Sequence, residues 1–211
     1  MRLKSLVAAM AAVASLAPIA SQAQSADENP WMVRIRAVYT DWQNGQSGNA
    51  SSLNLTAKKE WIPEFDVSYF FTKNIAAELV LTYPQNVDIY AGSAKAGTIK
   101  ALPPSLLLQY HFTDFGAFKP YIGAGVNYTL FGNTSNFPLV GNGLTVSSSS
   151  LGFAGQVGAD YMFDKNWGVN VDVKYITMAT NTNSNGAASN LGTGKLTLNP
   201  WTPAVGVTYK F

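Results

Sequence analysis

The stretch WGVNVDVKYIT, residues 167 to 177, alternates apolar and polar positions without interruption. One set of alternate positions is apolar: Trp167, Val169, Val171, Val173 and Tyr175. The intervening positions are mainly polar: Asn170, Asp172 and Lys174. A period of two predicts a β-strand with one apolar and one polar face. The pattern fits a soluble sheet and a membrane barrel equally well, because it does not say which face meets water.

The same alternation recurs along the chain and predicts strands near residues 31–41, 61–71, 75–85, 97–112, 119–131, 150–163, 166–179 and 195–211. Short connections at residues 72–74, 113–119 and 164–166 alternate with long, Gly-, Asn- and Ser-rich ones near 42–60, 86–96, 132–149 and 180–194. This asymmetry is typical of outer-membrane barrels, which have short periplasmic turns and longer external loops.

The two faces of the predicted strands differ in composition. Aromatic residues on the apolar face gather near strand ends, among them Trp31, Tyr39, Trp61, Trp167 and Tyr175. Two aromatic girdles around an aliphatic band match the two interfaces of a bilayer. The opposite face carries these charged residues: Arg34, Arg36, Glu64, Asp66, Glu78, Asp160, Asp172, Lys174 and Lys210. Because an unpaired buried charge costs several kcal/mol, we expect the apolar face to meet lipid. The fold class is then all-β, an eight-stranded antiparallel transmembrane β-barrel whose lumen is filled by cross-linked charges.

The N-terminal segment and the composition add a compartment and exclude several functions. Arg2 and Lys4, an apolar run and the small residues Ser21 and Ala23 predict a signal peptide over residues 1–23, which leaves the barrel in residues 24–211. This segment holds two of the 14 basic residues and none of the 12 acidic ones, so the remainder is neutral and is not expected to bind nucleic acid. Cysteine is absent and His111 is the single histidine, so we expect no disulfide, metal site or cofactor. As the sole candidate catalytic base, His111 falls near a short turn, far from outer-leaflet lipids, and we expect no enzymatic activity.

Several segments together resemble one protein family: NPWMVRIRAVY (29–39), NIAAEL (74–79), LPPSLLLQYHF (102–112), KPYIGAGVNYT (119–129), GQVGADY (155–161), NWGVNVDVKY (166–175) and NPWTPAVGVTYKF (199–211). They are similar to the OmpW family of eight-stranded outer-membrane proteins, which includes the alkane-uptake protein AlkL. The resemblance implies a bacterial outer-membrane location and passage of small hydrophobic molecules, released sideways through the barrel wall. Phe211, with Tyr209 two residues earlier, resembles the signal read by the barrel assembly machinery, so that machinery and outer-membrane lipids are expected partners.

If the first strand starts at the periplasm, the lumen-facing residues divide into an outer group and a periplasmic group. The outer end is apolar and forms the predicted substrate path: Val38, Val80, Ile99, Ala101, Phe131, Ile176, Met178 and Leu198. The periplasmic end is charged and forms the predicted lumen floor: Arg34, Glu78, Asp160, Asp172 and Lys210. The sequence therefore predicts an apolar funnel that is closed at its base.

A funnel with a closed base needs a side exit, and Pro103 and Pro104 in the fourth strand are the predicted lateral gate. Proline cannot donate to a ladder, so the pair should weaken pairing with the third strand. In the family, a proline at the matching place is associated with a lateral opening. A tolerated β-bulge is the alternative interpretation.

Two functions remain open at this point. Hydrophobic transport is favoured by the apolar funnel and the prolines. The alternative is a barrel without a transport role that stabilises the envelope or presents loops for adhesion or for phage or bacteriocin binding. The charged floor, which would block water and ions, supports the alternative.

Overall fold

The protein is described by a computed structural model over residues 29–48, 54–132, 144–184 and 194–211. The strands in this part are β1 (Trp31–Thr40), β2 (Gly45–Gly48), β3 (Leu55–Ala57), β4 (Glu60–Phe70), β5 (Ile75–Thr82), β6 (Gln85–Ala91), β7 (Ala94–Leu102), β8 (Ser105–His111), β9 (Phe118–Gly132), β10 (Leu144–Val146), β11 (Ser149–Met162), β12 (Trp167–Ile176), β13 (Ala179–Ser184), β14 (Gly194–Thr197) and β15 (Trp201–Lys210). Among these described residues, no helix is long and apolar enough to cross a membrane. The predicted signal peptide lies outside them, so its cleavage stays a prediction.

Eight of the strands close into an antiparallel barrel. Their order around the wall is β1, β4, β5, β8, β9, β11, β12 and β15, and β15 pairs with β1 to complete the circle. Segments 71–74, 112–117 and 163–166 connect neighbouring strands at one end, where the short turns were predicted. The fold class predicted from the alternation is therefore confirmed.

The two faces of the wall are distributed as the alternation predicted. Ile35 and Val171 are 64% and 56% exposed on the outside, whereas Arg34 and Lys174, on the opposite faces of the same strands, are 0% exposed. The outside of the wall is apolar and the inside is charged, which is the reverse of the distribution in a soluble protein. This distribution suits a wall that meets lipid.

Aromatic rings form cross-strand pairs at both ends of the wall. The pairs at the short-turn end include Trp31–Tyr69 and Trp167–Tyr209, with ring centroids 4.9 and 4.7 Å apart. The pairs at the opposite end include Tyr39–Trp61 and Tyr175–Trp201, at 5.4 and 4.9 Å. Both predicted girdles are present, and pairing across strands adds to the stability of each interface.

The predicted fourth strand, residues 97–112, is wrong as one continuous element. It divides into β7 and β8 at Pro103 and Pro104, and the predicted third strand, 75–85, likewise ends at Thr82 before β6 begins at Gln85. The predicted strand 166–179 is interrupted at residues 177–178, and the predicted strand 195–211 is interrupted at residues 198–200.

The long connections were predicted as loops, and this was wrong for much of their length. β6 and β7 form a hairpin that extends the wall outward, and β3 adds to its edge. β10, β13, β14 and β2 form a separate four-stranded sheet. β2 and β14 lack an apolar alternation, so their pairing depends on neighbouring strands more than on the local sequence.

Candidate functional site

Two arginines of β1 organise the charged part of the lumen. Arg34 donates from Nε and Nη2 to the two carboxylate oxygens of Asp160, at 3.0 and 2.6 Å, and from Nη1 to Glu78 at 2.8 Å. Arg36 donates to Asp66 at 2.6 Å and to the same oxygen of Glu78 at 2.8 Å. These five side chains are at most 2% exposed. Glu78 therefore joins two charge-assisted pairs into one buried cluster.

Lys174 of β12 extends this cluster toward the outer end. Its Nζ lies 2.8 Å from Glu64 and 2.9 Å from Asp172. Asp172 also lies 3.2 Å from Arg36 and accepts a hydrogen bond from the Tyr121 hydroxyl at 2.8 Å. The resulting ionic floor consists of Arg34, Arg36, Glu64, Asp66, Glu78, Asp160, Asp172 and Lys174. It cross-links five strands of the wall, and it brings together four of the five predicted floor residues.

The ionic floor has more carboxylates than cations. Its three cations face five carboxylates, so its formal charge is −2. Arg36 alone lies within 3.3 Å of four of the carboxylates. Loss of a cation therefore leaves more buried charge uncompensated than loss of one carboxylate does.

The predicted substrate path lies at the outer end and is buried. Seven of its eight residues belong to one apolar cluster, the exception being Val38, which packs with Ile62 and Ala204. The sequence interpretation missed nine members of this cluster. Leu107 and Ala154 belong to barrel strands. The other seven lie outside the eight barrel strands: Trp42, Leu55, Ala57, Val87, Ile89, Ala96 and Leu196. Most of these residues belong to strands that the sequence pattern had assigned to loops. The cluster makes the outer end of the barrel apolar.

A break in the wall lies between the third and fourth barrel strands. The ladder of β5 and β8 ends at Val80 and Ser105, and pairing resumes between Gln85 and Ala101. Four residues, 81–84, therefore face three residues, 102–104, and no ladder pair joins these two described segments. Pro103 and Pro104 lie in this break, which includes a one-residue offset, and lateral opening there stays a prediction. The sequence interpretation missed Pro84, which lies in the segment 81–84 of this break and could have been noticed inside the predicted third strand.

The other side of the proline pair is intact. β9 keeps one register past it, with Leu102 opposite Leu130 and Ser105 opposite Asn127. The Asn127 amide donates to the carbonyl oxygens of Pro103 at 3.3 Å and Pro104 at 3.1 Å. The break is therefore one-sided, because β9 anchors the prolines and the third strand does not.

The sequence of this chain is similar to those of known outer-membrane proteins. The OmpW family profile matches residues 30–211. The chain belongs to the OmpW family. It is 43% identical over 196 residues to the uncharacterized outer-membrane protein y4mB of Sinorhizobium fredii, covering 91% of this chain and 84% of that protein. It is 33% identical over 182 residues to outer membrane protein W of Escherichia coli, covering 82% of each.

A solved structure gives the same result for the fold of this OmpW-family chain. The crystal structure of OprG from Pseudomonas aeruginosa is similar with a TM-score of 0.71 and 28% identity, covering 86% of this chain and 95% of that chain. Family membership and the barrel together establish this OmpW-family protein as an outer-membrane protein.

His111 of this OmpW-family barrel is packed at the short-turn end of the lumen. Its ring lies between Phe70 and Tyr121, at centroid distances of 4.8 and 5.0 Å, and its Nε2 lies 2.9 Å from Gln109 Oε1. These contacts fix the ring between two aromatic faces. The arrangement suits a structural side chain of the lumen.

Lys210, the fifth predicted floor residue, lies on the short-turn side of the ionic floor. Its Nζ is 5.6 Å from the centre of the Phe70 ring. With Lys73, Lys119 and Lys165 it lines a cavity of about 560 Å³ at the short-turn end. The two aromatic residues of the predicted assembly signal, Tyr209 and Phe211, have ring centroids 4.9 Å apart, and their role in assembly stays a prediction.

Proposed function

We propose that this OmpW-family barrel carries small hydrophobic molecules passively through its apolar outer end and releases them sideways into the outer membrane. The observation that carries the proposal is the position of the wall break. On β5, Glu78 belongs to the ionic floor, Val80 to the apolar cluster, and the break begins directly after Val80. A molecule in the apolar cluster therefore reaches the break without crossing buried charges.

The ionic floor supports a sideways route over an axial one. An apolar molecule moving toward the periplasm would have to separate ion pairs whose partners lie 2.6 to 3.3 Å apart in a narrow lumen. Separating buried pairs leaves uncompensated charges and is strongly unfavourable. The wall break offers a path with no such penalty.

The family resemblance supports the same proposal, since it implies lateral release of hydrophobic molecules near a proline at this place. Two further observations fit a wall that opens here. Pro84 and Pro103 each lack an amide donor in the two segments that face each other across the break. Asn127 holds the proline carbonyls on the β9 side, which leaves only the seam facing the third strand to part.

Uptake of n-octane by cells with and without the barrel tests transport, and a double variant tests the route. Replacing Pro103 and Pro104 by valine restores two amide donors, so we expect the seam to close and octane uptake to fall. Pro203→Val is the matched control, because Pro203 lies in β15 within an intact ladder. Uptake that equals that of cells lacking the barrel would contradict transport. Unchanged uptake by the correctly folded double variant would contradict release at this seam.

A barrel without a transport role is the second candidate, and two observations favour it. The ionic floor braces five strands, and the external sheet of β2, β10, β13 and β14 extends the barrel beyond its eight-stranded wall. Such a barrel needs no break in its wall. The uptake measurement separates the two functions, since an envelope or adhesion barrel would leave octane uptake unaffected.

A further inference from the structure

Two polar side chains at the wall break have atoms without a partner. Thr82 is the last residue of β5 and Gln85 is the first of β6, so they flank the break on its third-strand side. Gln85 is 3% exposed, yet its Nε2 has no hydrogen-bond partner, and neither has Thr82 Oγ1. A buried polar group left unpaired costs about 1–3 kcal/mol. Two of them at one place indicate a partner that the chain itself does not supply.

Three other polar side chains at this height form hydrogen bonds with one another. Ser105, Asn127 and Thr129 lie across the break and are buried. Asn127 Nδ2 donates to Ser105 Oγ at 3.0 Å, and the Thr129 hydroxyl donates to Asn127 Oδ1 at 2.7 Å. Among the described polar side chains at this height, Thr82 Oγ1 and Gln85 Nε2 are therefore the buried atoms that lack a hydrogen-bond partner.

The surroundings of these two side chains select the chemistry of the partner. Gln85 lies opposite Ala101, whose own partner on β9 is Phe131, so its amide projects from an apolar wall. Thr82 lies opposite Glu64, a carboxylate of the ionic floor, whose formal charge is negative. An anionic group would be repelled here, whereas a neutral carbonyl or ester oxygen accepts the amide hydrogen bond without introducing charge.

We propose that Thr82 and Gln85 recognise a neutral hydrogen-bond acceptor on an otherwise apolar molecule as it passes the wall break. This assignment rests on the proposed transport function and narrows its substrate class to medium-chain ketones and esters in preference to unsubstituted alkanes. A path built for alkanes alone would be served by an apolar side chain at position 85.

Nuclear magnetic resonance tests recognition without requiring transport. The barrel is labelled with ¹⁵N-glutamine, placed in lipid nanodiscs and titrated with 2-octanone or n-octane, and the Gln85 amide signal is assigned with Gln85→Met. The expected result is a Gln85 amide shift with 2-octanone that n-octane does not reproduce, while the exposed Gln43 amide is unchanged. Absence of a shift, or equal shifts with both compounds, would overturn the proposal and indicate a structural water only.

Uptake provides the second measurement. The ratio of 2-octanone to n-octane uptake should fall roughly 2- to 10-fold in Gln85→Met, the factor expected for one neutral hydrogen bond. Gln43→Met, which removes an amide outside the break, should keep the wild-type ratio. If Gln85→Met still carries n-octane and its ratio of 2-octanone to n-octane uptake is unchanged, Gln85 does not recognise the acceptor and the proposal is overturned. Failure of the wild-type barrel to carry either compound would instead overturn the proposed function.

Discussion

Replacement of Arg36 by methionine tests whether the ionic floor is an interlocked structure. Arg36 lies 2.6 Å from Asp66, 2.8 Å from Glu78, 3.2 Å from Asp172 and 3.3 Å from Glu64. Methionine keeps much of the side-chain volume but leaves five carboxylates facing two cations. Removing one partner of a buried pair typically costs about 3–5 kcal/mol, so we expect the free energy of unfolding to fall by that amount.

Asp66→Asn is the matched control for this experiment. Asparagine can still accept the hydrogen bond from Arg36, the Oδ1 atom of Asp66 has no partner to lose, and the variant reduces the excess of carboxylates. We expect a loss of about 1 kcal/mol or less, because only the charge-assisted part of one hydrogen bond disappears. Urea unfolding in lipid vesicles, followed by tryptophan fluorescence, measures both variants. If Arg36→Met unfolds within about 1 kcal/mol of wild type, or if Asp66→Asn costs as much as Arg36→Met, the ionic floor is not an interlocked structure.

Two smaller predictions concern a glycine and a turn. A Cβ at Gly158 would lie 2.5 Å from the Tyr121 ring, so Gly158→Ala should destabilise the barrel by about 1–3 kcal/mol in the same unfolding assay. Gly155→Ala, on the same strand with nothing within 4 Å, should be neutral or slightly stabilising. The pKa of Asp164 in the short turn is lowered from its ordinary 3.8 by hydrogen bonds from backbone amides, the first from Trp167. Its contribution to stability is therefore present above that ordinary value and lost as the pH falls through the lowered pKa, and Asp164→Asn should abolish this part of the acid dependence of unfolding.

The eight barrel strands were predictable because each has an exposed apolar face on the outside and, over much of its length, polar or charged side chains in the lumen. Because successive side chains point to opposite faces, this contrast appears in the sequence as an alternation with a period of two, as in β12. The external strands have no such contrast. β14 and β2, for example, are short and rich in glycine and polar residues, and their pairing depends on each other.

The composition of the ionic floor was predictable, but its pairings were not. Alternation shows that Arg34 and Asp160 both face the lumen, yet they are 126 positions apart and meet only because the barrel closes. Likewise, Pro103 and Pro104 mark an interruption in the wall, whereas the side on which they are held depends on Asn127 in another strand. Contacts of this kind depend on the radius and stagger of the barrel, which a single strand does not encode.

Reversible closure of the wall break tests lateral release most directly. Extending the β5–β8 register places Tyr83 opposite Leu102 across the break, and the chain has no cysteine of its own. The variant carrying Tyr83→Cys and Leu102→Cys keeps both prolines and allows the seam to be bridged by a disulfide or a short bis-maleimide, with thiol titration confirming the bridge. The control bridges Val171→Cys to Val205→Cys, a register pair on the opposite wall.

The measured quantity is n-octane uptake by cells producing each bridged barrel, before and after reduction of the disulfide. We expect the bridge across the break to lower uptake to the level of cells without the barrel and reduction to restore it, whereas the control bridge should have no effect. Wild-type uptake through a barrel whose break is fully bridged would contradict lateral release.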